Sequence, residues 1–165
     1  MDSPNFVTDI FLNPGEIYFG EKNIRLRTLL GSCVSIVLWC PGKKMGGMCH
    51  YLLPDTQENK SDPNKSTRYG IHAIDYFFHE MKKVRLERRD FIAKVFGGST
   101  MFLKEEESLF DSESSIKQIG NKNVDFAKKI LQENEIKILS EDTGGTQSRK
   151  IFFTIWDGEV WVEKK

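Results

Sequence analysis

The run CVSIVLW, Cys33–Trp39, is apolar at nearly every position and rich in β-branched side chains, with Gly31-Ser32 before it and Pro41-Gly42 after it. A short apolar run between turn residues predicts a strand buried on both faces. MGGMCHYLLP, Met45–Pro54, follows the turn and is expected to pair back on that strand. Its Gly46-Gly47 pair marks a bulge or a place where another backbone comes close. Upstream, Glu16–Phe19 after the Asn13-Pro14-Gly15 turn and the imperfectly alternating Ile24–Leu30 are expected as strands.

Downstream, the polar stretch Asp55–Thr67 reads as a surface loop, and then the period changes. Ile71, Ile74, Phe77, Phe78, Met81 and Val84 recur at helical spacing, which predicts a helix from Thr67 to about Arg88 with one apolar face. Phe91–Phe96 reads as a strand running into the Gly97-Gly98 turn. The acidic, serine-rich stretch Lys104–Gln118 is expected as an exposed loop. Val124, Ala127, Ile130 and Leu131 predict a second helix over about Asn123–Asn134. A short strand at Ile136–Leu139 and a turn-rich loop at Ser140–Arg149 follow. Two apolar runs around Asp157-Gly158 then give the strongest short hairpin signal in the chain. Six to eight strands, many in hairpins, with two long helices, make an α+β pattern: helices packed on a mixed, largely antiparallel sheet.

Composition narrows the function classes. At 165 residues the chain suits one domain, and 39% apolar with 12% aromatic content suits a packed core. Lys plus Arg equals Asp plus Glu at 24 each, so nothing in the charge balance calls for nucleic acid or an anionic membrane as partner. The N-terminal stretch carries Asp2 and no long apolar run, so no signal peptide is expected. No stretch approaches the length of a membrane span, and direct membrane insertion is not expected. A cytoplasmic location follows, with reduced thiols, which the odd cysteine count fits.

All three cysteines and one of three histidines lie between Leu30 and His50. Zinc is a poor fit, because the spacing Cys33-x6-Cys40-x8-Cys49-His50 contains no close ligand pair. Adjacent Cys49 and His50 on a strand would point to opposite faces. Cys40 and Cys49 read as core residues. Cys33 differs, because it sits where a Gly-Ser turn meets a buried strand. There small neighbours let a substrate approach, and backbone amides can stabilise an oxyanion. Two strands joined through Pro41-Gly42 would set residues 33 and 50 opposite each other, each about eight residues from the turn centre. A thiol beside an imidazole becomes a nucleophile with its own base and acid. Whether Cys33 and His50 are such a pair or core residues stays open on these grounds alone. His72 and His79, seven apart on the first helix, read as helix-surface or boundary residues.

TLLGSCVSIVLW, MGGMCHYLLP, RYGIHAI, AKVFGGSTMF, IGNKNV and EDTGGTQSRKIFFTIWDGEVWV, in that order from about Pro14 to Val162, resemble the motif blocks of the CheD family. These are the chemoreceptor glutamine deamidases of bacterial chemotaxis. The resemblance implies one deamidase domain over residues 1–165. Its fold would be an α/β sandwich related to the catalytic domain of the cytotoxic necrotising factors. It implies hydrolysis of selected glutamine side chains on methyl-accepting chemoreceptors to glutamate and ammonia, with no cofactor and no metal. The family's nucleophile falls on Cys33 and its histidine on His50. Its threonine falls on Thr28, although some members carry it one residue upstream, where this chain has Arg27. Backbone amides near Gly31, Ser32 and Cys33 would hold the oxyanion. The Gly97-Gly98 and Gly144-Gly145 pairs read as tight turns near the site, and Arg149 as a structural residue ahead of a substrate anchor. The family also binds CheC, a phosphatase of the phosphorylated regulator CheY. A non-catalytic module that holds CheC or a receptor is the alternative, and a thiol peptidase a third reading. The stretch Lys104–Gln118 reads as a tolerated insertion ahead of a partner contact.

Overall fold

The computed structural model describes residues 3–55, 64–100 and 112–165, with the backbone alone for 112–117. Nine strands and two helices succeed one another among them. β1 (Thr8–Phe11), β2 (Ile17–Glu21), β3 (Ile24–Leu30), β4 (Val34–Cys40) and β5 (Met45–Cys49) precede α1 (Gly70–Lys83) and a 3-10 turn at Arg88–Asp90. β6 (Ile92–Gly97), α2 (Ser112–Glu133), β7 (Lys137–Thr143), β8 (Arg149–Thr154) and β9 (Glu159–Lys164) complete the order. The α+β class expected from the sequence is the one observed. The strands divide into two sheets, ordered β1-β3-β8-β9 and β2-β5-β4-β6-β7. β1 runs parallel to β3 and β7 parallel to β6, and the other pairs are antiparallel.

The alternation of side chains on β4 explains the layering. Val34, Ile36, Leu38 and Cys40 point one way, into a core with Ala73, Ile74, Phe77 and Met81 of α1 and Val124, Ala127 and Leu131 of α2. Val37 points the other way, with Met48 and Phe96, against Leu26, Leu30, Ile151 and Phe153 of the first sheet. Helices, five-stranded sheet and four-stranded sheet are thus three layers with two cores, and β4 is the strand buried on both sides. No bulge interrupts its pairing with β5. The Gly46-Gly47 pair marks the close approach: a Cβ at Gly47 would lie 2.2 Å from the Tyr18 carbonyl oxygen.

Three expectations change. β1 was not anticipated, since TDIF is a short, mostly exposed edge strand with no periodic signal. The loop expected over Ser140–Arg149 begins as the last four residues of β7 and ends with the first of β8. The loop expected over Lys104–Gln118 falls outside the described residues at 104–111, and from Ser112 it is helix. Ile116 and Ile119 carry the spacing of Val124 and Ala127 backward, so α2 starts eleven residues before Asn123. Gly120 is a packing residue: a Cβ there would sit 2.7 Å from Gly98 O and 2.8 Å from Ser99 O. The loop expected at Asp55–Thr67 lies outside the described residues at 56–63.

Candidate active site

Gly31, Ser32 and Cys33 form the whole connection from β3 in one sheet to β4 in the other. Cys33 is half-buried and packs toward the core between the sheets, whereas Cys40 and Cys49 are buried in the core under the helices. All three thiols are free. Their surroundings separate them. Complete burial pushes the Cys49 thiol up to about 12, which makes it inert at physiological pH. Burial also raises Cys33, but its own backbone amide acts in the opposite direction.

His50 follows the last residue of β5 and is 2% exposed. Met48 faces the intersheet core and Cys49 the helices, so alternation turns His50 back between the sheets. The β4–β5 register runs from Cys40↔Met45 through Val37↔Met48 to Val34↔Tyr51. Continued, it sets His50 across from Ser35 and makes Cys33 its diagonal neighbour on the same face. The expected direct opposition of 33 and 50 is therefore corrected by one diagonal step. β4 runs on through Cys40, which moves the turn centre between Gly42 and Lys43. Diagonal neighbours in a sheet lie within reach of long side chains, at about 7–8 Å between backbones.

Thr28 comes from the facing sheet. It points inward with Leu26 and Leu30, is fully buried, and its Oγ1 lies 2.7 Å from His50 Nδ1. The same Oγ1 donates to the Leu12 carbonyl at 2.8 Å. A hydroxyl has one hydrogen to donate. With that hydrogen on Leu12, the ring must be the donor to Thr28, which puts the imidazole proton on Nδ1 and leaves the lone pair on Nε2. Arg27, the neighbouring position that the resemblance left open, points to the opposite face of the sheet, over the Phe11 ring. Burial lowers His50 to about 4, so the ring is neutral at physiological pH.

The loop Gly31–Cys33 is tied down through its carbonyls. Gly31 O accepts from Ser99 N at 3.0 Å, Ser32 O from Asn123 Nδ2 at 3.1 Å, and Cys33 O from Gly98 N at 2.9 Å. Among the described residues no main-chain carbonyl accepts from the amides of Gly31, Ser32 or Cys33. Gly97 supports the loop in a conformation closed to other residues, with φ at +109°, and a Cβ there would lie 2.2 Å from Cys33 O. Gly144 N donates to Gly97 O at 2.9 Å, which couples the second glycine pair to the first.

Arg149 is structural. It is 3% exposed, pairs with Asp142 at 3.0 Å, and donates to Gly144 O at 2.7 Å and Gly97 O at 3.4 Å. Burial works to raise Asp142, but hydrogen bonds from Lys164 and Arg149 outweigh it and hold the carboxyl below its ordinary range. His72 and His79 lie on α1, away from this site, with His72 Nδ1 3.0 Å from Ser66 O. The residue that sequence reading missed is Asn123. It lies within the IGNKNV block, and its local signal was a polar side chain at an apolar position of the α2 spacing, next to Val124.

The CheD family model, described as CheD chemotactic sensory transduction, matches residues 52–164. Whole-chain relatives extend the likeness over Thr28, Cys33 and His50. A protein of Leptospira interrogans serogroup Icterohaemorrhagiae serovar copenhageni, named probable chemoreceptor glutamine deamidase CheD 1, is 43% identical over 98% of this chain and 95% of its own. The probable chemoreceptor glutamine deamidase CheD 3 of Dechloromonas aromatica is 40% identical over 97% and 89%. The probable chemoreceptor glutamine deamidase CheD of Pseudomonas syringae pv. syringae is 35% identical over 98% and 88%. With its family model matched over more than half of its length and its relatives over nearly all of it, the chain belongs to the CheD family.

Proposed function

We propose that this protein is a protein-glutamine deamidase acting on chemoreceptors through Cys33, His50 and Thr28. The observation that carries the reading is the hydrogen bond by which Thr28 holds the His50 ring, on the same intersheet face as Cys33. A threonine on one sheet orients a base on the other, one diagonal step from the one cysteine of the three that is not fully buried.

The chemistry follows from the protonation states. Cys33 and His50 both rest neutral, so the thiol gives its proton to Nε2 as sulfur attacks the side-chain carbonyl carbon of glutamine. The amides of Gly31, Ser32 and Cys33 hold the oxyanion, each worth about 3 kcal/mol of barrier. The carbon–nitrogen bond breaks as the imidazolium returns its proton to the nitrogen, releasing ammonia and leaving a thioester. His50 then takes a proton from water, hydroxide adds to the thioester carbon, and sulfur leaves with that proton. Glutamine and water become glutamate and ammonia, and every proton passes through Nε2. No step calls for a cofactor.

The reading carries two further proposals. The protein works as one domain in the cytoplasm, where receptor signalling segments lie. No helix among the described residues is long and apolar enough to cross a membrane. A CheC-type phosphatase is its regulatory partner, a proposal resting on the family resemblance. The test is peptide mass spectrometry of a receptor cytoplasmic fragment incubated with the protein, with Cys33→Ala in parallel. The mass gain of carboxamide-to-carboxylate conversion, lost with Cys33→Ala, is expected. No conversion, with the receptor or CheC still captured, would replace the enzyme by a binding module. Cleavage of the fragment would make it a peptidase.

A further inference from the structure

Asn123 sits in the middle of α2 with no exposed surface. Its side-chain amide has two hydrogens, and both are used. One goes to Ser32 O at 3.1 Å, beside the nucleophile, and the other to Leu52 O at 2.8 Å, two residues past His50. A single carboxamide therefore spans the connection that carries Cys33 and the segment that carries His50. Its main-chain carbonyl accepts from Tyr51 Oη at 2.5 Å, which pins α2 to the residue following the histidine.

The side chain is satisfied at one end only. Its Oδ1 is buried with no hydrogen-bond partner among the described residues. An unpaired buried acceptor is costly, and packing alone would favour an apolar residue here, as at Val124, Ala127 and Leu131. Reach is a second constraint. Gly120, one turn earlier, lets α2 come down onto the carbonyls of Gly98 and Ser99, whose own amides hold Cys33 O and Gly31 O. The close helix and the asparagine act together on the same three-residue loop.

We infer that Asn123 is a positioning residue: it sets the separation and orientation of Cys33 and His50 by tying the backbones that carry them to one rigid amide. The inference deepens the deamidase reading and rests on it. Removing the tie leaves the substrate-facing groups in place but lets the loop and the β5 segment move independently. Misplacement of a reacting group by an ångström lowers turnover by up to about 100-fold.

The test compares wild type, Asn123→Ala, Gly120→Ala and Leu131→Ala. Leu131 is buried on the same helix, about two turns beyond Asn123, so its variant reports lost helix packing. Four quantities are read: Tm, kcat and KM for receptor deamidation, and the pH profile of Cys33 alkylation by iodoacetamide, followed on the Cys33 peptide. Asn123→Ala is expected to lose roughly 10- to 100-fold in kcat with KM unchanged, and to shift the alkylation profile. Gly120→Ala should do the same in weaker form. Leu131→Ala should lower Tm at least as far, yet keep kcat and the profile well below its Tm. If Asn123→Ala does not fold, Gly120→Ala against Leu131→Ala decides. Overturning results are wild-type kcat and profile in the folded site variant, or equal changes in Leu131→Ala. Alkylation needs no receptor, so a wild type that failed to deamidate would sink the functional reading while this comparison still judged Asn123.

Discussion

Replacing Thr28 with valine keeps shape and volume and removes one oxygen. That oxygen serves two buried partners, the Leu12 carbonyl at 2.8 Å and the His50 ring at 2.7 Å. An unsatisfied buried polar group costs about 1–3 kcal/mol, so with two such partners the variant should lose about 2–6 kcal/mol of stability in total. The functional effect is separable. Without an acceptor beside Nδ1, the ring loses about 2–3 kcal/mol of preference for the Nδ1-protonated form. At 1.36 kcal/mol per decade, the ratio of the Nδ1-protonated to the Nε2-protonated ring falls roughly 30- to 150-fold, and kcat should fall with the shrinking fraction that has a free Nε2 lone pair, at unchanged KM. Thr28→Ser, which keeps the hydroxyl, should restore most of the rate. The assay pairs steady-state deamidation with ¹⁵N shifts of the His50 ring. Wild type should show the proton on Nδ1, and Thr28→Val should move it to Nε2. A wild-type ring protonated on Nε2, or a valine variant with wild-type kcat, would refute the tautomer argument.

Two further changes probe the supports. His50 titrates at about 4 in the folded protein against 6.5 in an unfolded chain, so the unfolded state binds the extra proton between those values. Stability is full above pH 6.5 and should fall by about 3 kcal/mol as the pH drops to 4; His50→Gln, in urea titrations across that range, should flatten this part of the curve. Gly97→Ala combines a φ of +109° with a Cβ 2.2 Å from Cys33 O. It should cost on the order of 3 kcal/mol and slow Cys33 alkylation, as melting curves and peptide mapping would show.

The legible parts of the chain were those where one residue type answers one environment. CVSIVLW could only be a strand with two buried faces, and it is the strand shared by both cores. The α1 face was written in Ile71, Ile74, Phe77, Phe78 and Met81, of which Ile74, Phe77 and Met81 are buried under the sheet. α2 was half-hidden because Gly120 and the acidic serine-rich lead-in argue for a loop locally, and only packing on Gly98 and Ser99 explains the glycine. Within the site, chemistry alone left Cys33 and His50 open and the family resemblance singled them out, and their spacing was misjudged by one diagonal because strand ends are poorly marked. Thr28 came from the family resemblance, since a threonine in a strand carries no signal of its own. Asn123 depends on two distant backbone carbonyls meeting one side chain, a fact of tertiary structure that its local spacing does not encode.

The pairing of β3 with β8 sets Arg25 against Thr154 and Leu30 against Arg149, which joins the two ends of the chain. Such distant pairings form slowly, because a large loop must close before any contact rewards it. During synthesis β4 and β5 can meet as a hairpin long before β8 exists. The strand that presents Thr28 then has only β1 beside it, and the ring that Thr28 will hold is free to turn. In the proposed mechanism, reactivity of the thiol therefore arrives last, when the final strands close the first sheet over the second. A nascent or truncated chain carries the cysteine and the histidine, yet has no oriented base to make that thiol a hazard to its neighbours.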